Sequence, residues 1–203
     1  MTTVVAFVSQ KGGVGKSTLS RALAREAAAG GLKVKVADLD TQQGTSVDWN
    51  RTRLEAGIEP VVSVESFKTA AQALSMAEHF DLLILDGPAR TSQATLEIAR
   101  AASLVVQPTG ASLDDLRPAV REFHALVKAG VPHNRLAFAL NRIGTPAEET
   151  DARSYLAEAG YGVLDGCLVE RPGGETSAEN AGRGWVGGVE EGGGCRRMTG
   201  LDE

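Results

Sequence analysis

The segment that most restricts the possible folds is a short run of small and basic residues near the N-terminus. Its sequence is Gln10-Lys11-Gly12-Gly13-Val14-Gly15-Lys16-Ser17-Thr18. An apolar run at residues 4–8 precedes it, and a stretch with helical spacing follows it and ends at Gly30-Gly31. Glycines let the backbone turn tightly between a strand and a helix. The segment therefore predicts a β-loop-α unit, the repeating element of α/β folds.

Short apolar runs recur along the rest of the chain, at residues 4–8, 34–37, 61–64, 82–85, 104–106, 136–140 and 163–169. Several are apolar throughout, which is typical of strands that are covered on both faces. Amphipathic stretches lie between them; the clearest covers residues 113–127, with Ser112 as its N-cap and Gly130 as its stop signal. This alternation predicts an α/β fold, a mostly parallel twisted sheet of about seven strands with helices on both faces.

Length and composition indicate one domain. The chain has 203 residues, enough for a single sizeable core, and no linker divides it. Residues 173–203 are rich in glycine, which opposes both helix and strand. We therefore expect a compact domain at residues 1–172 and a poorly ordered segment at 173–203. The N-terminus lacks the basic region and cleavage site of a signal peptide, and no apolar run is long enough to span a membrane.

The glycine-rich segment has the chemistry of a phosphate-binding loop. Its turn aims successive backbone N–H groups at one point, and the N-terminus of the following helix adds the positive end of its dipole. In such a loop Lys16 would reach the β- and γ-phosphates, and the Ser17 hydroxyl would ligate Mg²⁺. The alternative is a glycine-rich turn that binds nothing; the Gly-Lys-Ser ending and the position between strand and helix favour phosphate binding.

The sequence Lys-Gly-Gly-Val-Gly-Lys-Ser-Thr resembles the deviant Walker A motif of the ParA/MinD family of P-loop ATPases. The resemblance covers about residues 1–172 and is nearest to the small plasmid-partition ParA type. It implies a Mg²⁺-dependent ATP hydrolase that uses ATP to form a homodimer, with Gly12, Gly13, Val14, Gly15, Lys16, Ser17 and Thr18 around the nucleotide. Lys11 would reach across the dimer to the nucleotide of the partner and take part in catalysis together with Lys16.

Two acidic strand ends agree with this resemblance. By the family pattern Asp38 lies near Mg²⁺, Asp40 orients the attacking water, and Asp86 holds the water shell of the metal. An acidic group beyond the carboxyl end of a parallel strand lies where ligands bind in α/β sheets. Helix-capping aspartates and a plain Asp-Gly turn are the structural alternatives. The chain departs from the family at Thr41, where proline is usual, and at Gly87, where threonine is frequent.

Later segments carry weaker signals. Asn141 resembles the asparagine that lies beside the adenine in the family, and Arg171-Pro172 resembles the segment that flanks the base. Each of them is also a common turn residue. Residues 177–183 resemble the start of a late helix, but the chain continues into glycines.

For function, the resemblance implies segregation of plasmid or chromosomal DNA. The ATP-bound dimer would bind DNA without sequence preference, and a small centromere-binding partner would stimulate hydrolysis. The protein would be cytoplasmic and associated with the nucleoid. The net charge of -5 means that any such contact needs a local basic patch, for which Arg183, Arg196 and Arg197 are candidates.

Other functions remain open. A MinD-like ATPase on a membrane surface needs a basic amphipathic C-terminal helix, which the glycine-rich tail disfavours. Relatives that position other cargoes, and metabolic P-loop enzymes, also share the loop. An iron–sulfur reductase needs paired cluster cysteines, and Cys167 and Cys195 are far apart. A small-acid ligase would usually lack Lys11.

Overall fold

A computed structural model of the chain describes residues 1–89 and 92–169. In these residues strands and helices alternate. The strands are β1 (Thr3–Phe7), β2 (Val34–Asp38), β3 (Ser63–Ser66), β4 (Leu82–Asp86), β5 (Leu104–Thr109), β6 (Leu136–Ile143) and β7 (Gly162–Val169). The α-helices are α1 (Lys16–Ala29), α2 (Thr45–Glu55), α3 (Ala70–Leu74), α4 (Ser92–Ala101), α5 (Leu113–Lys128) and α6 (Pro146–Glu158), with short 3-10 helices at Ala77–His79 and His133–Arg135.

The described strands form one sheet in the order β3-β2-β4-β1-β5-β6-β7, and every pair is parallel. The predicted fold class is therefore confirmed, with a strand at each of the seven apolar runs. Buried side chains form a separate cluster on each face of the sheet, because neighbouring residues of a strand point to opposite faces. Val4 and Ala6 belong to one cluster, and Val5 and Phe7 to the other.

The third strand lies later in the chain than its apolar run predicts. The run covers residues 61–64, whereas β3 is Ser63–Ser66 and is largely exposed at the edge of the sheet. Val62 is buried in the core without joining the strand, and Val61 is exposed. An edge strand that pairs on one side only does not need the continuous apolar sequence of a central strand, so hydrophobicity alone misplaced it.

The helix predicted over residues 113–127 is α5. Its buried face carries Leu116, Val120 and Phe123, as the spacing predicts. Ser112 is at the N-cap position, but its hydroxyl donates to Asp115 Oδ2 at 2.8 Å and caps no backbone N–H. Gly130 follows the helix in the left-handed region, with φ of 93°.

The sheet topology brings three strand ends to one place. Phe7 at the end of β1 is in register with Asp86 at the end of β4, and Asp86 is in register with Asp38 at the end of β2. The carboxyl edge of these central strands is where open α/β sheets bind ligands. No helix in the described residues is long and apolar enough to cross a membrane.

Candidate functional site

The glycine-rich loop between β1 and α1 presents unused backbone donors. Gly13 and Gly15 have φ of 73° and 103°, a region that only glycine adopts without strain. Within the described residues, the N–H groups of residues 12–18 donate to no protein acceptor. The first free N–H groups of α1 add the positive end of the helix dipole. The loop therefore has the free donors and the helix dipole that binding an anion requires.

Asn141, at the end of β6, holds this loop from behind. Its side-chain amide donates to the Val14 carbonyl at 2.7 Å, and its Oδ1 accepts the Arg142 N–H at 3.0 Å. A Cβ atom on Gly15 would overlap Asn141 Nδ2, so glycine at this position permits the contact. Arg142 has φ of 56°, which is unusual for a residue with a side chain. Asn141 thus contacts the loop backbone through its amide, and its place beside the adenine stays a prediction.

Glu122 of α5 holds the start of the loop and was not foreseen. Its Oε2 accepts the Gln10 N–H at 3.1 Å and the Gln107 side-chain amide at 2.8 Å. Glu122 is buried, and burial raises its pKa, although Gln10, Lys16 and Gln107 act in the opposite direction. A charged residue on the apolar face of a helix, directly before Phe123, is the sequence signal that would have identified it.

Lys16 is buried at the start of α1. Burial lowers its pKa, and the carboxylates of Asp86, Asp40 and Glu122 partly compensate by raising it. A buried cation needs opposite charges nearby, and here they come from three separate elements. The Lys16 side chain is thus buried in a negatively charged environment.

The two strand-end aspartates are joined by Ser46, a second residue that the sequence analysis missed. The Ser46 N–H donates to Asp38 Oδ2 at 3.0 Å, and the Ser46 hydroxyl donates to Asp86 Oδ2 at 2.7 Å. The Arg21 side chain donates to the same hydroxyl at 3.2 Å. The position of Ser46 at the start of α2, soon after the Asp38–Asp40 segment, is the only sequence signal for its role.

The acidic pair has the donor set of a divalent-cation site. Asp38 and Asp86 are both buried, and burial raises the pKa of each carboxyl group. Asp86 Oδ1 has no hydrogen-bond partner among the described residues. A buried carboxylate oxygen without a donor requires an explanation, such as an ion or a water molecule. Mg²⁺ prefers such oxygens, and the residues present fit it.

Asp40 lies just beyond β2 and is partly buried. Its Oδ1 accepts the Gln43 N–H at 3.2 Å, and its carbonyl accepts the Gly44 N–H at 2.8 Å. The turn after Asp40 therefore closes through the aspartate itself, although Thr41 replaces the usual proline. At Gly87, a Cβ atom would lie 2.8 Å from the Phe7 carbonyl oxygen, which explains the absence of a larger residue there.

Lys11 lies on the exposed side of the loop and forms an ion pair with Asp115 in the first turn of α5. The Lys11 side chain is 50% exposed. Burial of Asp115 acts to raise its pKa, but the hydrogen bonds from Lys11 and Ser112 outweigh that effect and lower it. An exposed pair of this kind is weak and can exchange partners.

The predicted site residues in the described part of the chain thus gather at one edge of the sheet. They are the loop residues, Asp38, Asp40, Asp86 and Asn141. Arg171 and Pro172 lie outside the described residues, as do Arg183, Arg196 and Arg197 and the expected domain boundary at residue 172.

Comparison with known proteins gives both a family and a fold. Residues 5–180 match the family described as the CobQ/CobB/MinD/ParA nucleotide binding domain. The chain is 30% identical over 166 residues to the maintenance of carboxysome distribution protein A of Gloeobacter kilaueensis, covering 80% of this chain and 74% of that protein.

Two solved structures show the same fold at low identity. The septum site-determining protein MinD of Pyrococcus horikoshii, complexed with Mg-ADP, has a TM-score of 0.61 and 19% identity, covering 76% of this chain and 77% of that one. A candidate plasmid partition protein of Borrelia burgdorferi B31, bound to AMPPNP, has a TM-score of 0.62 and 17% identity, covering 84% and 86%.

Proposed function

The chain belongs to the CobQ/CobB/MinD/ParA nucleotide binding domain family, and we propose that it is a Mg²⁺-dependent ATPase that segregates plasmid or chromosomal DNA. One observation carries the nucleotide part of the proposal. Among the described residues, the N–H groups of residues 12–18 have no acceptor, Lys16 is buried near Asp86, and one oxygen of Asp86 has no hydrogen-bond partner. These are the groups that bind a triphosphate and its metal.

The loop residues would bind ATP through their backbone. Gly12, Gly13, Val14 and Gly15 supply N–H donors, and Lys16, Ser17 and Thr18 supply those of the first helical turn. Lys16 places its positive charge between the β- and γ-phosphates. Because the loop is already held by Asn141 and Glu122, little reorganisation accompanies binding.

Ser17, Asp38 and Asp86 would hold Mg²⁺ and its water shell. The Ser17 hydroxyl lies 3.4 Å from the Thr45 hydroxyl at the start of α2, on the same side as the acidic pair. When bound, the ion neutralises charge on the phosphates. Asp40, near Lys16 and more exposed than Asp38, would orient the attacking water.

Assembly of two chains would complete the site. Lys11 is exposed, and among the described residues its side chain pairs with Asp115 alone, so it can turn to the nucleotide of a partner in an ATP-bound homodimer. A cation supplied in trans stabilises charge on the transferred phosphoryl group. Asn141, Arg171 and Pro172 would flank the adenine, with residues 1–172 as the ATPase domain.

The sequence resemblance and the likeness to a candidate plasmid partition protein favour DNA as the cargo. The ATP-bound dimer would bind DNA without sequence preference, in the cytoplasm on the nucleoid, and a small centromere-binding protein would stimulate hydrolysis. A second candidate is positioning of a different cargo, since a relative at 30% identity is named for maintenance of carboxysome distribution.

The nucleotide part is tested by Lys16→Ala, with Lys33→Ala as the control because Lys33 is an exposed lysine far from the loop in sequence. Removing the buried cation should abolish ATP binding and hydrolysis, because electrostatic stabilisation dominates phosphoryl transfer. Binding is measured by calorimetry, and circular dichroism checks the fold. Unchanged ATP binding by a folded Lys16→Ala protein would contradict the assignment.

A further inference from the structure

Helix α5 carries a row of basic side chains on its exposed face. Arg117, Arg121, His124 and Lys128 are all exposed. At 3.6 residues per turn they fall within an arc of about 60°, and at 1.5 Å per residue they extend over about 16 Å. We call these four residues the α5 basic row. The opposite face of the helix is buried in the core through Leu116, Val120, Phe123 and others.

The cations of this row are not neutralised by the protein. Among the described residues, neither Arg117, Arg121 nor Lys128 forms an ion pair. By contrast, Arg51 pairs with Asp48, Arg153 pairs with Glu149, and the Arg53 side chain donates to backbone carbonyls. Arg100 of α4 donates to the Ala129 carbonyl and brings a further cation to the C-terminal end of α5. The row is therefore a concentrated positive charge on an acidic protein.

We propose that the α5 basic row is the surface through which this protein contacts the phosphate backbone of duplex DNA. This inference rests on the proposed DNA-segregating function and assigns to it a contact surface within the described chain. Duplex DNA carries one negative charge per about 1.7 Å of axis, so a row of this length faces several phosphates at once.

The chemistry of the row fits a polyphosphate better than a protein or a membrane. Protein interfaces depend on aromatic and arginine anchors buried in pockets, and membrane-surface helices insert bulky apolar side chains. None of the large hydrophobic side chains exposed in the described residues lies between Arg117 and Lys128. Exposed arginine and lysine side chains on a helix contact phosphates without reading the base sequence.

The same helix contacts the phosphate loop. Asp115 pairs with Lys11, and Glu122 accepts the Gln10 N–H, so α5 carries the contacts to the loop as well as the basic row. If Lys11 leaves Asp115 when two chains assemble around ATP, the N-terminal end of α5 changes its partner. The dimer then carries two copies of the row, which doubles the number of phosphates that it can contact. This gives the DNA interaction a physical dependence on ATP.

The test compares two double variants of the full chain with equal loss of charge. Arg117→Gln/Arg121→Gln removes half of the row, and Lys33→Gln/Lys68→Gln removes two exposed lysines elsewhere. Binding of a fluorescent mixed-sequence duplex is titrated over a salt series with ATP and with ADP. ATP affinity and circular dichroism are measured for each protein, and neither variant changes a nucleotide-site residue.

In the ATP state we expect the row variant to bind DNA at least tenfold more weakly at low salt. Its log–log salt slope should be shallower by about 0.9 for each phosphate that a removed cation had neutralised, or about 3 to 4 for a dimer in which four cations are removed. The control variant should stay within about twofold of the parent.

Three results would overturn the assignment, and they are distinguishable. If the parent binds DNA and both variants bind nearly as tightly as the parent, the DNA function stands and the row is not its surface. If the parent binds ATP but no duplex at low salt, the DNA-segregating function itself is wrong. If the parent binds phosphatidylglycerol vesicles instead of duplex, and only the row variant fails to bind them, the row serves a membrane surface.

Discussion

The two sides of the phosphate loop are built differently. The buried side consists of five hydrogen-bonded, buried residues from five elements: Asn141, Glu122, Ser46, Asp38 and Asp86. The outer rim consists of exposed Lys11 and partly buried Asp115 and Asp40, whose contacts are an accessible ion pair and a local turn. The buried side is preorganised, while the rim has the freedom that an assembling catalytic site requires.

This difference assigns separate roles to the two sides. Removing a hydrogen-bond partner from the buried side leaves an unsatisfied buried group, which costs stability and distorts the loop. Removing a partner from the rim costs little, because solvent replaces it. Variants of the buried side should therefore change nucleotide affinity and stability, and variants of the rim should change hydrolysis and assembly. Four substitutions test this division, in order of decreasing expected effect.

Asp40→Ala should lower the rate of ATP hydrolysis by about 10²-fold or more while ATP affinity is retained, because the water loses its positioning but the phosphate loop is intact. The protein should then accumulate as a dimer in ATP. Phosphate release and size-exclusion chromatography with light scattering measure the two effects. A variant that hydrolyses at the parental rate would remove Asp40 from this role.

Gly15→Ala should weaken ATP binding by about tenfold or more, since an alanine at φ of 103° is strained by about 1–3 kcal/mol and its Cβ overlaps Asn141. Gly12→Ala is the matched control, because a Cβ there meets no atom within 4 Å and the backbone is not in the left-handed region. Calorimetry compares both with the parent. Equal affinity of the two variants would show that the Asn141 contact does not shape the loop.

Glu122→Gln should flatten part of the pH dependence of stability. The folded-state pKa of Glu122 is raised, chiefly by burial. Its contribution to the free energy of unfolding is therefore full below the ordinary pKa near 4.5 and is lost as the pH rises through the raised pKa. Asp38 and Asp86 have shifts of the same sign and remain in the variant. Urea unfolding from about pH 4.5 to about pH 8 measures the difference from the parent.

The control for that experiment is Glu55→Gln, which neutralises an exposed glutamate at the end of α2. It removes the same charge without changing a residue of the buried side. If Glu122→Gln and the parent lose stability in parallel over this range, burial of Glu122 does not perturb its titration, and its place on the buried side is only structural.

Lys11→Ala should change the free energy of unfolding least, by less than about 1 kcal/mol, because its ion pair with Asp115 is exposed. ADP binding by the monomer should persist, while ATP-dependent dimerisation is lost. Chemical unfolding and light scattering with ATP measure the two quantities. Dimerisation equal to that of the parent would mean that Lys11 does not act on a partner chain.

Much of the fold follows from local patterns. The apolar runs predict seven strands because a strand covered on both faces needs apolar side chains throughout, and β3 at the sheet edge is the one that this rule misplaces. The glycines of the loop predict its position because few other residues adopt the required φ values. These features depend on neighbours within a few residues, so local patterns in the sequence predict them.

The contacts that shape the site join residues far apart in the chain, so local patterns do not predict them. Asn141 reaches a carbonyl 127 residues earlier in the chain, and Glu122 accepts an N–H 112 residues earlier. Ser46 joins Asp38 and Asp86 because β2 and β4 are adjacent and in register, although β3 lies between them in sequence. Local pattern specifies which residues form strands and helices, but not which strand ends become neighbours. That choice depends on how the whole chain buries both faces of its sheet.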